Sequence, residues 1–160
     1  MRHFRAVAVV GFLFLFLALL GIPDRGRAAG EGSKRFVGSE ACKDCHETEY
    51  KNFTSYARKA HSYKSIKALA KGLTDQETKK CYECHTTGYG KEGGFRSETE
   101  TPQLKDAGCE VCHGPGSLHC ETSDAKDIKG KLTAKDCEIC HSSERIQAFR
   151  YRPLVYGGAH

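Results

Sequence analysis

Four short segments of the chain share the pattern Cys-x-x-Cys-His, in which two thiols stand three residues apart and an imidazole follows directly. The segments are Cys42-Lys-Asp-Cys45-His46, Cys81-Tyr-Glu-Cys84-His85, Cys109-Glu-Val-Cys112-His113 and Cys137-Glu-Ile-Cys140-His141. This is the c-type haem attachment pattern. The two thiols bond the haem vinyl groups, and the histidine ligates the iron from the proximal side. Four copies predict four covalently attached haem c groups, and with them electron chemistry.

Three other kinds of site also use cysteine pairs. A zinc site can take Cys-x-x-Cys pairs, but it does not require a histidine directly after each pair. A redox-active dithiol needs one pair rather than four. A disulfide framework is typical of small exported proteins, yet it does not account for the four histidines. The pattern therefore favours haem over all three.

The iron atoms also need ligands on their distal side, and the chain offers few. Of eight histidines, His3 lies in the N-terminal segment and four are proximal ligands, so His61, His119 and His160 remain. The single methionine is Met1. At most three haems can then have two histidine ligands from this chain, and at least one lacks a standard internal distal ligand. Without methionine ligation, which raises the potential, the bis-histidine haems are expected at low potentials.

The N-terminus has the composition of a secretory signal peptide. Two arginines precede an apolar run from Ala6 to Ile22, and small residues follow it. We therefore predict a signal peptide over residues 1–29 and one tetrahaem cytochrome c domain over residues 30–160. An uncleaved membrane anchor is the alternative, because the run has 17 residues.

Export changes the charge balance and the expected partners. Residues 1–28 hold four of the 25 Lys and Arg and one of the 20 Asp and Glu, so the rest of the chain is near +2. The propionates of four haems would outweigh this excess, which argues against nucleic acid as a partner. We expect redox partner proteins, no stable membrane insertion after cleavage, and a periplasmic or extracellular location. A homo-oligomer is compatible with the same features.

Short helices are predicted around the first two motifs. The pattern indicates helices over residues 47–60 and over residues 62–71, with Gly72 as the stop. A third helix is predicted from Thr74 to Glu83. Thr74 and Glu77 form a capping-box pattern at its start.

The remaining elements are shorter still. Ser39 is a predicted N-cap before the first motif, and Thr101-Pro102 is predicted to open a short helix with proline at its first position. Thr133 and Asp136 form a second box-like cap before the last motif. Gly88 to Gly94 is a predicted loop, and no strand pattern exceeds three or four residues.

The small number of residues for each haem determines the fold class. The predicted domain offers about 33 residues per haem, and large aliphatic residues are sparse after residue 36. The haems themselves must then form much of the core. We predict a mainly α, small and loop-rich multihaem cytochrome c fold, with short helices packed around four covalent haems. A domain of this size has a radius of gyration of about 14 Å. The haems are therefore expected to lie close together and to exchange electrons rapidly.

Three stretches of the chain resemble the tetrahaem cytochrome c-554 family. Val37-Gly-Ser-Glu-Ala-Cys-Lys-Asp-Cys-His46, followed by Tyr50 and His61, is similar to the first haem segment of that family, and Cys84-His-Thr-Thr-Gly-Tyr89 is similar to the second. Gly108-Cys-Glu-Val-Cys-His-Gly-Pro-Gly-Ser-Leu-His119 resembles the third and is the most specific. The likeness covers about residues 36 to 141.

The resemblance implies a set of ligand pairs. In that family a histidine placed like His119 ligates the first haem, and one placed like His61 ligates the third. The second haem is five-coordinate, and the fourth takes a histidine from the C-terminal region. Carried over, the pairs are His46/His119, His113/His61 and His141/His160, with His85 alone. This implication agrees with the ligand count above.

Cys120 is a ninth cysteine outside the motifs. An odd cysteine in an exported chain indicates an intermolecular disulfide or a free thiol. Because Cys120 adjoins His119, a buried small residue beside a haem is the alternative.

The expected function is electron transfer between redox partner proteins through the four haems, with no enzymatic activity. One alternative is an enzyme that acts on a small nitrogen oxide at the five-coordinate haem of His85. Its candidate proton donors, by proximity only, are Tyr82, Tyr89 and Lys91. Another alternative is a polymerising cytochrome, in which a histidine such as His160 of the next subunit completes that haem.

Overall fold

A computed structural model describes residues 34–142, which belong to one compact unit. The predicted signal peptide over residues 1–29 and the tail that carries His160 lie outside these residues. The described part of the chain is helical and contains no strand, which confirms the mainly α fold class. No helix in this part is long and apolar enough to cross a membrane.

Short α-helices and single turns of 3-10 helix alternate along residues 34–142. The α-helices are α1 (Glu47–Tyr56), α2 (Tyr63–Leu69), α3 (Asp75–His85), α4 (Cys109–His113), α5 (Ser117–Thr122) and α6 (Ala134–Cys137). The 3-10 turns are Ser39–Cys42, Arg58–His61, Ala70–Gly72, Pro102–Leu104 and Ala125–Asp127. Helices this short are marginal alone, so their stability must come from tertiary contacts.

The long helix predicted over residues 47–60 is interrupted, so that prediction is wrong in part. α1 ends at Tyr56, and Ala57 has extended backbone with φ −80° and ψ 116°. The chain then turns through Arg58–His61. Ala57 is only 5% exposed, which indicates that tertiary packing overrides the local helix preference at this point.

Both predicted capping boxes are present. The Glu77 amide donates to Thr74 Oγ1 at 3.3 Å, and the Thr74 amide donates to the Glu77 carboxylate at 2.9 Å. Thr133 and Asp136 make the same reciprocal pair before α6. α3 continues two residues beyond its predicted end, so the second haem motif forms its last turn.

Ser39 does not cap a helix, and that prediction is wrong. The residue before the turn is Gly38, with φ 88°, and no side chain caps the turn. Ser39 Oγ instead accepts a hydrogen bond from the Cys109 amide at 3.0 Å. The serine therefore connects the first haem motif to the third, a contact that local sequence cannot reveal.

An aromatic cluster forms part of the apolar core of the described residues. Its buried members are Phe36, Phe95 and Leu104, and the partly buried tyrosines 63, 82 and 89 pack against them. Two backbone hydrogen bonds of 2.9 Å enclose the cluster, from the Thr87 amide to the Leu104 carbonyl and from the Phe95 amide to the Thr87 carbonyl. The core is small, as the sparse aliphatic content predicts.

The predicted loop from Gly88 to Gly94 lies beside this cluster and contains no helix or strand. Gly88 has φ +72°, which side chains rarely adopt. A β-carbon there would also lie 2.7 Å from the Phe36 ring. Glycine is therefore required both by the backbone and by the packing.

Replacing Leu104 by alanine is expected to destabilise the holoprotein by about 2 to 5 kcal/mol, because the side chain is 0% exposed and its removal leaves a cavity. Chemical denaturation followed by far-ultraviolet circular dichroism measures the change. Leu69→Ala makes the same chemical change at a residue that is 62% exposed, and we expect it to cost no more than about 0.5 kcal/mol. Equal losses in the two variants would contradict the assigned core.

Candidate haem-binding site

The haem motifs occupy short turns of chain. The second motif ends α3, and the third motif is the whole of α4. Residues three and four apart lie on the same side of a helix, so both thiols and the imidazole of a motif emerge together. None of the motif thiols is in a disulfide. Two thiols beside one imidazole are the donor set that covalent haem attachment and proximal ligation require, so these residues fit the group.

His46 and His119 face one another across a gap of suitable width. Their ring centres are 6.1 Å apart, and the ring planes differ by 28°. Two imidazoles that ligate one metal ion from opposite sides need about 6 Å between ring centres, because each metal–nitrogen bond is about 2 Å long and the ring adds about 1 Å on each side. The geometry thus supports the pair His46/His119, the only one of the implied pairs that the described residues display directly.

Backbone carbonyls orient several histidine rings, and two of them are those of His119 and His85. The Nδ1 atom of His119 donates to the Asp124 carbonyl at 2.9 Å, and that of His85 donates to the Ser62 carbonyl at 3.2 Å. A proton held on Nδ1 leaves Nε2 as the nitrogen that can ligate iron. Such second partners fix the ring plane and increase the basicity of the ligand.

Lys129 connects the third motif to the fourth. Its backbone carbonyl accepts a hydrogen bond from His113 Nδ1 at 2.7 Å, and its amide donates to the His113 carbonyl at 3.1 Å. Its ammonium group pairs with Asp136, which caps α6. That hydrogen bond, with those from Thr133, lowers the pKa of Asp136 to about 2. One residue therefore holds the proximal ring of the third motif and the helix that ends at Cys137, the first cysteine of the fourth motif.

His61 is held differently from the other histidines. Its Nε2 atom donates to the Thr54 carbonyl at 2.9 Å, and the side chain is exposed. This bond leaves Nδ1 as the atom available to a metal. The pairing of His61 with the haem of His113 stays a prediction.

His141 lies in a partly desolvated position. Burial, followed by the charge of Lys59, lowers its pKa. A neutral imidazole is the form that ligates iron, so this environment suits a proximal ligand. Its predicted partner, His160, lies outside the described residues.

Hydrogen bonds to Ser62 position the second motif. Ser62 Oγ donates to the His85 carbonyl at 2.8 Å and accepts from the Ala107 amide at 2.9 Å. Tyr82, inside the motif, packs against Tyr89 and Phe95 with ring centres 5.2 Å and 5.1 Å away. Tyr82 and Tyr89 therefore have a packing role in the core, while the third candidate proton donor, Lys91, is exposed.

The attachment points of the first and third haems meet in the fold. The Cys42 and Cys109 thiols interact with each other, and this interaction lowers the pKa of Cys109 and raises the pKa of Cys42. Each thiol carries one haem vinyl carbon after attachment. Two haems bonded to neighbouring sulfur atoms must lie close together. The small predicted size of the domain led to the same expectation.

Cys120 lies on α5 next to His119 and is exposed. The alternative of a buried small residue is therefore wrong for this position. Burial of part of the thiol, followed by the charge of Glu110, raises its pKa. The intermolecular disulfide and the free thiol both stay predictions.

Three further residues position the site without a recognisable sequence signal: Ser62, Lys129 and Glu110. Each of them makes a hydrogen bond to a distant part of the chain: Ser62 to Ala107, Lys129 to His113 and Glu110 to Gly38. Glu110 lies within the third motif, but Glu138 occupies the same position in the fourth motif and is exposed. Residue type and spacing therefore could not have distinguished the buried glutamate from the exposed one.

Comparisons with known proteins point to one family. The family model described as cytochrome c554 and c-prime matches residues 41–114, which include the first three motifs. Cytochrome c-554 of Nitrosomonas europaea is 32% identical over an alignment of 132 positions, and the match covers 71% of this chain and 56% of that protein. The chain thus spans little more than half the length of this relative.

A solved structure, the reduced state of cytochrome c554 from the same organism, has a similar fold. It aligns with a TM-score of 0.56 at 20% identity, over 79% of this chain and 84% of that chain. The resemblance predicted from the motifs is confirmed, and so is the loop-rich helical fold. The cofactors are four haem c groups with their iron, as the four motifs predict.

Replacing His119 by alanine is expected to convert one low-spin haem to high-spin, because the haem at Cys42 and Cys45 loses its second imidazole. Spin-quantified electron paramagnetic resonance of the oxidised holoprotein should then show one more high-spin haem than the parent protein. Cys120→Ala changes the neighbouring exposed residue and should leave the spin count unchanged. A parental spin count in His119→Ala would rule out the pair.

Proposed function

Because this chain resembles the cytochrome c-554 family in its motifs, its sequence and its fold, we propose that it is an electron carrier. It takes electrons from one redox protein and passes them to another through its four covalently bound haem c groups. The haem irons supply the one-electron chemistry, and the protein supplies attachment, ligands and spacing.

The observation that carries this proposal is the arrangement of His46 and His119. An iron held by both imidazoles would have no open position for a substrate, so this site would suit electron transfer rather than catalysis. The ring of His119 is held from outside the ligand pair, since its Nδ1 donates to the Asp124 carbonyl. A fixed ligand set changes little on reduction, which favours rapid exchange of electrons.

The contact between Cys42 and Cys109 supports transfer within the protein. Adjacent attachment points keep two haems close without an intervening segment of chain. Lys129 brings the third and fourth motifs together in a similar way. Electrons that enter at one haem would thus find a neighbour within short reach.

The proposed location is the periplasm or the outside of the cell. The predicted signal peptide over residues 1–29 supports export, and covalent haem attachment suits an exported protein. The proposed partners are redox proteins, one donor and one acceptor, that bind for a short time. The net charge after processing gives no reason to expect nucleic acid.

Film voltammetry of the full holoprotein tests the carrier against the enzyme. We expect four reversible one-electron couples and no catalytic current when nitrite or nitric oxide is added, because the described residues place Tyr82 and Tyr89 in the core cluster rather than as free proton donors. A sustained catalytic current with either compound would instead establish an enzyme at the haem of His85.

The ligand count gives a second test. The oxidised holoprotein should contain one high-spin haem at every protein concentration, because the chain lacks a standard histidine or methionine for the haem of His85. Electron paramagnetic resonance and analytical ultracentrifugation over the same concentrations measure spin state and mass together. Loss of the high-spin signal as the mass increases would show that a neighbouring chain supplies the ligand, and would replace the monomeric carrier with a polymer.

A further inference from the structure

Glu110 is a carboxylate buried inside the third haem motif. The residue is 2% exposed and follows Cys109 directly. Its side chain accepts hydrogen bonds from three backbone amides: Val37 at 3.0 and 3.1 Å, Gly38 at 2.7 Å and Gly116 at 2.7 Å. A single side chain of the third motif thus binds the segment of Val37 and Gly38, which precedes the first motif, and the segment that precedes α5.

The hydrogen-bond pattern requires an ionised carboxylate. Oε1 accepts from Val37 and Gly116, and Oε2 accepts from Gly38 and Val37. A protonated carboxyl group would aim its own hydrogen at one of these amides, so the neutral form does not fit. Amide donors stabilise the anion, but they bring no net positive charge.

No cation offsets this charge among the ion pairs of residues 34–142, which all join other side chains. The charge therefore acts on its surroundings through protein rather than water.

The iron ligand His113 is only three residues away. Three residues of helix correspond to about 4.5 Å of rise, and residues three apart lie on one side of a helix. A unit charge about 10 Å from the iron, in a medium with an effective dielectric constant of about 20, changes a one-electron equilibrium by at least about tenfold. Glu110 is therefore close enough to affect the electron affinity of this haem.

We propose that Glu110 is a positioning residue that also lowers the reduction potential of the haem bound at Cys109 and Cys112. Its fixed negative charge stabilises the ferric iron relative to the ferrous iron. The inference rests on the proposed electron-transfer function for its meaning, but the two can fail separately. Voltammetry of the parent protein tests the function, and variants of Glu110 test the inference.

Three variants separate the charge from the hydrogen bonds. Glu110→Gln keeps the size of the side chain and removes the charge. Glu110→Asp keeps the charge and shortens the reach to the three amides. Glu138→Gln makes the same change as the first variant at the equivalent position of the fourth motif, where the side chain is exposed.

Potentiometric titration of each holoprotein, followed by visible absorption and electron paramagnetic resonance, measures the four potentials. We expect Glu110→Gln to change the one-electron equilibrium constant of one haem by at least about tenfold in favour of the reduced form. This change raises its reduction potential by about 59 mV. Glu110→Asp should lose thermal stability yet keep its potentials near those of the parent. Glu138→Gln should change neither potentials nor stability.

Two results would overturn the inference. Parental potentials in a Glu110→Gln protein with four haems would show that the charge has no influence. Equal shifts of the reduction potential in Glu110→Gln and Glu110→Asp would show that the potential depends on the hydrogen bonds of this side chain and not on its charge. If Glu110→Gln does not assemble with four haems, the parent protein decides: the haem of His113 should have a lower potential than that of His141, and the reverse order would refute the proposal.

Discussion

Long-range hydrogen bonds from a few polar side chains hold this fold together, because the chain has little apolar surface to bury. Glu110 accepts bonds from amides as many as 73 residues away, and Ser39 and Ser62 reach across 70 and 45 residues. Bonds of this kind are strengthened where water is excluded. A buried amide left without its acceptor would cost more than an ordinary hydrogen bond contributes. These few side chains therefore carry stability that a larger domain would take from an aliphatic core.

The same hydrogen bonds determine where the haems lie. A haem bonded to two cysteines of one turn moves with that turn, so any contact between turns is also a contact between cofactors. Ser39 joins the first motif to the third, and Lys129 joins the third to the fourth. The aromatic cluster around Tyr82 and the bonds of Ser62 do the same for the second motif. The positions of the cofactors thus follow from polar contacts rather than from the short helices themselves.

The electrostatic surroundings agree with a protein that works at low potential. Histidine ligands without methionine favour the ferric iron, and the carbonyl groups behind His85, His113 and His119 strengthen that preference by making the imidazoles more basic. A buried carboxylate without a cation acts in the same direction. The ligands, their second partners and the nearest buried charge therefore favour one oxidation state, which suits the donation of electrons to a partner protein.

The sequence by itself determined the cofactors and their number, and it predicts their attachment cysteines and proximal histidines, because these depend on residues within five positions of each other. It also determined the capping boxes of Thr74 and Thr133, for the same local reason. It did not reveal the break at Ala57, the role of Ser39 or the buried state of Glu110, since each depends on segments that meet only in the folded chain. The approach of His46 and His119 was implied by a family resemblance, and only the tertiary structure places their rings 6.1 Å apart. Covalent haem attachment is encoded by spacing along the chain, whereas the second ligand and the electrostatic environment are determined by which distant segments pack together.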